Sequence, residues 1–137
     1  MSMSSAKFQF TAVPEQLSAA RNCIRGFLTA QGWAQKEMDV NIAAGEIMQN
    51  IIRYGFSGGN AEGRFTLEMS VVNQTLTLTF VDTAPPSNPE TWSAEHRLAE
   101  EGGHGLAMVK AVADSFEFTM LEAGNQATLT FKKQGQK

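Results

Sequence analysis

The stretch Gly45-Glu46-Ile47-Met48-Gln49-Asn50-Ile51-Ile52-Arg53-Tyr54 carries an acid and an amide four residues apart. On an α-helix that spacing stacks Glu46 and Asn50 on one face, about 6 Å apart along the axis. A carboxylate placed there can take a proton or orient a hydroxyl. The amide oxygen is a hard ligand, suited to a Mg²⁺ ion that keeps most of its waters. The same two residues also suit a solvated helix face, and the pair alone does not separate these readings. Beside them Val40, Ala43, Ala44, Ile47 and Ile51 recur at helical spacing, which predicts a helix over 35–54 with one apolar stripe. A polar stripe with Asp39, Glu46, Asn50 and Arg53 runs alongside. Gly55 and the run Ser57-Gly58-Gly59-Asn60 are expected to end it.

Outward from this helix the pattern alternates between periods. Residues 7–13 alternate weakly, with Phe8 and Phe10 on one side, and read as a first strand. Pro14 suits the first turn of a helix, in which Leu17, Ala20, Ile24, Phe27 and Leu28 form the apolar face and Gly32 the stop. Residues 65–71 and 76–80 have strict period two, joined by Asn73-Gln74 as a tight hairpin. A third helix is predicted over 105–113, then strands over 116–122 and 126–133 with Ala123-Gly124-Asn125 as their turn. Strands with one apolar and one polar face need cover on one side only. The expected fold is therefore a two-layer α/β sandwich, a mixed or antiparallel sheet covered on one face by three helices, in a single domain over residues 1–137.

The composition narrows the class. A chain of 137 residues with net charge −3 has no basic footprint, so direct binding to nucleic acid is not expected. Its one cysteine, Cys23, cannot close an internal disulfide and reads as a boundary residue of the first helix in a reducing compartment. No segment approaches a membrane span and the N-terminus lacks a signal pattern, so a cytoplasmic location is expected. Two histidines and one cysteine without ligand spacing argue against zinc.

A second motif lies far along the chain, Glu101-Gly102-Gly103-His104-Gly105-Leu106-Ala107-Met108-Val109. Glycines permit close backbone approach, and a helix start offers unpaired N–H groups to phosphate. The same cluster can be a loop that ends in a cap, and His104 can reach a phosphate or simply fill the turn. No Gly-Lys-Ser or Gly-Lys-Thr follows, so this is not a P-loop. Asp82 ends a strand; an ionised carboxylate only accepts hydrogen bonds, so it can select an exocyclic amine such as that of adenine, or it can end the strand for turn reasons. Residues 83–102 lose all periodicity and hold Pro85, Pro86 and Pro89, as a functional lid or an irregular loop does.

Taken in order, Glu-x-x-x-Asn on a helix, Asp after a strand, a long lid and Gly-x-Gly into a helix resemble the GHKL, or Bergerat-fold, ATPases. The run from Gly102 to Asp114 is most similar to the bacterial anti-sigma-factor serine/threonine kinases, and the resemblance spans residues 8–133. It implies ATP and Mg²⁺, with Asn50 as the metal ligand and Glu46 as the general base. It implies Asp82 as the adenine-reading carboxylate and Gly103, His104, Gly105 and Leu106 as the turn around the phosphates. Arg53 and Tyr54 match positions that border the nucleotide more loosely. The implied activity is phosphorylation of a STAS-type antagonist in a partner-switching circuit, with a sigma factor as a further partner and a homodimer as the assembly. One departure stands out: Asp-x-Gly reads Asp82-Thr83-Ala84 here, followed by Pro85-Pro86-Ser87. That keeps open a nucleotide-binding switch module without phosphoryl transfer. A histidine kinase catalytic fragment ranks last, because the chain lacks room for a separate phospho-accepting helix pair.

Overall fold

Period-two burial builds the sheet. In β3 (Thr75–Asp82) every second residue is buried, namely Leu76, Leu78, Phe80 and Asp82, and the threonines between them stay partly exposed. The same alternation runs through β1 (Met3–Ala12), β2 (Asn60–Val72) and β5 (Gly124–Lys132). A computed structural model describes residues 3–56, 58–85 and 105–133. With β4 (Ser115–Leu121) these strands form one five-stranded sheet, ordered β1-β2-β3-β5-β4 and antiparallel at every pairing.

Three helices cover one face. Pro14 opens a short 3₁₀ turn, Pro14–Gln16, that feeds α1 (Leu17–Ala30), whose Ala20, Ile24 and Leu28 are buried. Gly32 reverses the chain at φ +78°, and Trp33, fully buried, donates its N–H to the Leu28 carbonyl at 2.7 Å. α2 (Glu37–Asn50) packs between α1 and α3 (Gly105–Val112). A helix flanked on two sides and backed by a sheet needs a wide apolar surface. Accordingly Val40, Ala43, Ala44, Gly45, Ile47 and Met48 are all buried, more than a single stripe supplies.

The two-layer sandwich expected from the pattern is the observed one, and its sheet is antiparallel. Several boundaries moved, and β1 begins at Met3 rather than at residue 7. The long helix is not uniform to Tyr54: α-geometry ends at Asn50 and Ile51–Gly55 is a π turn. β2 begins at Asn60, inside the stretch expected to be a loop. Gly124 and Asn125, expected in a turn, are the first residues of β5 and pair with Leu121 and Met120. The chain leaves β3, passes α3, takes the edge as β4 and returns as β5 beside β3. That path sets Asp82 opposite Asn125.

The β2–β3 hairpin turns on Asn73 (φ +52°) and Gln74 (φ +66°). Two positive φ values in a two-residue loop are what the right-handed strand twist favours. Asn tolerates this region; Gln does not, at a cost of about 1–2 kcal/mol. Gln74→Gly should therefore raise stability by about 0.5–1 kcal/mol after the extra chain entropy of glycine is subtracted. Urea unfolding measures it; an unchanged or lower midpoint would show that the turn is unstrained.

Candidate functional site

Asp82 is the buried acid of the sheet, 4% exposed at the end of β3. Its Oδ1 accepts a hydrogen bond from Asn125 Nδ2 at 3.1 Å and another from the Ala84 N–H at 2.9 Å. The second bond, from residue i+2, is an Asx turn that bends the chain away from the strand. Asn125 Nδ2 also donates to the Pro85 carbonyl at 3.1 Å. One amide therefore ties the carboxylate to the first residues of the segment that follows it. Burial pushes the Asp82 carboxyl above its ordinary value, and the donors from the Asn125 side chain, Ala84 and the Asn125 main chain oppose that rise. Oδ1 is saturated by the Asn125 side chain and Ala84; a carboxylate has about four acceptor sites, so capacity for a ligand donor remains on the group.

Close backbone approaches hold this corner together. Gly124 sits at φ +149°, and a Cβ there would lie 2.1 Å from the Asp82 carbonyl oxygen, so only glycine admits β5 this near to β3. Ala84 is 1% exposed, and its Cβ lies 2.8 Å from where a Cβ on Gly55 would be. The methyl that departs from Asp-x-Gly thus fills the space above Gly55, at the end of the π turn. This contact joins the end of the Glu46–Asn50 helix to the Asp82 turn.

Glu46 and Asn50 share the helix face that their spacing demands, and both are partly exposed. Glu46 lines a cleft of about 500 Å³ with Arg21, Asn41, Gln49 and Met108, so α1, α2 and α3 all contribute. The Arg21 guanidinium lies over Gly45, with Nη2 3.1 Å from where a Cβ would be. Arg53 is placed elsewhere: it lines a second cleft of about 340 Å³ with Pro14, Leu17 and Ile52. Its guanidinium carbon is 6.0 Å from the centre of the half-buried Tyr54 ring. Gly105 opens α3, whose buried Val109 seats it in the core. Gly103 and His104 lie outside the described residues, as do 86–102 of the expected lid, and the Leu106 side chain is outside them too.

Asn125 is the site residue that sequence reading missed. It is 2% exposed, a burial that an amide tolerates when its polar atoms are hydrogen-bonded, as they are to Asp82 and Pro85. The signal in the sequence was Gly-Asn at a strand start, which looks like ordinary turn chemistry. Only the return of β5 to the side of β3 reveals its partner.

The raised Asp82 pKa has a signed consequence. The folded chain holds this proton more tightly than the unfolded one, so its stabilising contribution is complete below the unfolded value near 3.8 and is lost as pH rises through the folded value. Asp82→Asn keeps an oxygen for both Oδ1 bonds and has no proton to lose. The stability of Asp82→Asn relative to wild type should grow as pH climbs from below 3.8, then level off. Urea unfolding across that range checks this; a difference that is flat or shrinks with pH would contradict it.

No curated protein matches the chain. Among solved structures, it superposes on the RsbU and RsbW domains of Rv1364c from Mycobacterium tuberculosis with a TM-score of 0.71 at 18% identity, over 94% of this chain and 32% of that one. It also superposes on the histidine kinase domain of the EL346 blue-light activated histidine kinase from Erythrobacter litoralis with a TM-score of 0.59 at 15% identity, over 89% of this chain and 61% of that one. At such identities the likeness is one of fold, and the chain spans less than two thirds of either protein's matched chain. No helix among the described residues is long and apolar enough to cross a membrane. The pattern of the histidine kinase-like ATPase domain matches residues 10–131, from β1 to β5 and across the Glu46 helix and the Asp82 corner, and the chain belongs to that family.

Proposed function

We propose that the chain binds ATP with Mg²⁺ and passes the γ-phosphoryl group to a serine or threonine of a small STAS-type partner, as the anti-sigma component of a partner-switching circuit. The observation that carries the nucleotide part is the buried Asp82 carboxylate, oriented by Asn125 and by the Ala84 N–H. Such a group accepts hydrogen bonds only, so it selects a base edge that offers an N–H, as the adenine amine does. Membership of an ATPase-type family supports the same ligand. Fold likeness to a protein that contains an RsbW domain supports the switching setting.

Each residue has an assigned role. Asn50 offers a hard amide oxygen at a half-buried position, which suits Mg²⁺ held mainly by phosphate oxygens and water. When bound, that ion neutralises charge on the phosphates. Glu46 stands one turn away, at the edge of a cleft wide enough to admit a partner side chain. The acceptor hydroxyl oxygen forms a bond to the γ-phosphorus as the bond from that phosphorus to the ADP oxygen breaks. Glu46 orients the hydroxyl and takes its proton. Gly103, His104, Gly105 and Leu106 are assigned to the phosphates, and Arg53 and Tyr54 to the rim. The competing reading is a nucleotide-binding switch module without transfer, which the alanine at position 84 first raised. The burial of that methyl against Gly55 supports a nucleotide pocket not crowded by it.

Radiolabelled phosphate transfer to an interacting STAS-type protein, run beside calorimetric ATP binding, tests the proposal. Glu46→Gln should lower the transfer rate on the order of 10²- to 10⁴-fold, the usual effect of removing a general base, with ATP affinity nearly unchanged. Asn50→Ala should abolish the Mg²⁺ dependence of ATP binding. Normal transfer by Glu46→Gln would remove that residue from the chemistry. Wild-type protein that binds ATP and transfers nothing to any interacting partner would leave the module.

A further inference from the structure

We propose that the α1 side of the Glu46 cleft docks the C-terminal residue of a partner polypeptide, one that ends in an apolar side chain and a free carboxylate. The site stands apart from phosphoryl transfer and needs no nucleotide. The cleft runs between α1 and α3 along the outward face of α2. Helical spacing divides its floor into two columns. Glu37, Asn41 and Gly45 lie on the α1 side, where Arg25 meets Glu37 and Arg21 lies over Gly45. Met38, Ile42 and Glu46 are each one residue further on and turn toward α3, whose Met108 completes that wall.

Two polar groups on the α1 side lack the partners they need. Arg21 is half-buried, and its guanidinium has no hydrogen-bond or ion-pair partner among the described residues. Glu37 does not supply one, because its Oε2 accepts from Arg25 Nε at 3.2 Å and from Asn41 Nδ2 at 3.3 Å. The second group is Asn41 Oδ1, which is buried without a hydrogen-bond donor. Its orientation is settled by Glu37: a carboxylate only accepts, so the NH₂ faces it and the oxygen faces away. The cleft therefore holds a cation in need of an anion. One helical turn before it, about 6 Å, stands an acceptor in need of an N–H.

The last residue of a polypeptide presents both groups at that separation. Its carboxylate and its amide N–H flank one α-carbon, and hydrogen bonds of about 2.9 Å at each end bridge a gap of this size. The carboxylate pairs with Arg21 and the N–H donates to Asn41 Oδ1, which directs the side chain across the floor to Met38, Ile42 and Met108. Methionine suits such a wall because its unbranched thioether adapts to different apolar shapes. Met38 and Met108 are 74% and 43% exposed, and the large exposed apolar side chains among the described residues are all methionines. The charged residues that line the cleft are Arg21, Glu37 and Glu46. Glu46 repels a carboxylate set on the α3 side, so the acid end belongs at Arg21. The cleft, about 500 Å³, holds more than one residue, and the preceding chain leaves over its exposed rim. A free amino acid fits less well, since its ammonium brings a second charge that an amide oxygen answers only in part.

NMR titration of the isotope-labelled full chain tests the proposal with acetyl-Gly-Ala-Leu as the free acid, the same peptide as its C-terminal amide, and free leucine. The acid should shift the side-chain resonances of Arg21 and Asn41. It should bind at least about tenfold more tightly than the amide, the usual weight of a hydrogen bond to a charged group. Free leucine should bind at least about fivefold more weakly than the acid. Arg21→Gln should erase the difference between acid and amide, and Asn41→Leu should weaken the acid about threefold or more. The wild-type comparison of acid with amide decides even where a variant does not fold. Equal binding of acid and amide, no binding of the acid at millimolar concentration, or shifts confined to other surfaces would overturn the proposal. So would an Arg21→Gln protein that still prefers the acid, or free leucine that binds as tightly as the peptide.

Discussion

A carboxylate taken out of water at the end of β3 must be met by donors, and the amide of Asn125 on the neighbouring strand is the principal one. Much of the architecture follows from bringing these two groups together. β5 has to lie beside β3, so the chain first visits the sheet edge as β4 and then returns. Gly124 has to lack a side chain, because the strands meet where a Cβ would strike the Asp82 carbonyl. The same amide holds the Pro85 carbonyl, so the segment after β3 departs in a defined direction. Hydrogen bonds to a charged group contribute about 1.5–3 kcal/mol, enough to make this corner a fixed point of the fold.

The helix motif reaches the corner through packing rather than polar contact. α2 is braced by α1, by α3 and by the sheet, which is why so much of it is buried and why Glu46 and Asn50 occupy its outward face. At its end the π turn brings Gly55 under Ala84. π turns inside helices recur at functional sites, and here one links the acid-amide pair to the Asp82 turn. The replacement of glycine by alanine at position 84 is thus matched by a glycine at position 55. The two positions form one packing pair.

Periodicity made the layers legible: the alternation in β2 and β3 and the stripes of α1 and α2 specify a one-faced sheet with helices on it. The Asn73-Gln74 hairpin was equally plain. What could not be read locally were features set by contacts distant in the chain. Asn125 looks like a turn residue until β5 is placed next to β3. The early start of β2 at Asn60 depends on pairing with Ala12 across a register shift, and nothing in its own composition announces it. The π turn is also silent in the pattern, since Ile51 and Ile52 suit an α-helix interior as well as they suit this wider turn. That Glu46 and Asn50 share one helix face was legible from their spacing, whereas the environment of Asp82 needed the fold.

If Asp82 reads the base edge of the nucleotide, the amine on that edge is what it reads. Calorimetric titration of the wild-type protein with ATP and with purine riboside triphosphate, which lacks the 6-amino group, isolates that one contact. A hydrogen bond to a charged acceptor contributes about 1.5–3 kcal/mol, so ATP should bind at least about tenfold more tightly, and Asp82→Asn should narrow the gap. Equal affinity of the wild-type protein for the two nucleotides would contradict the account.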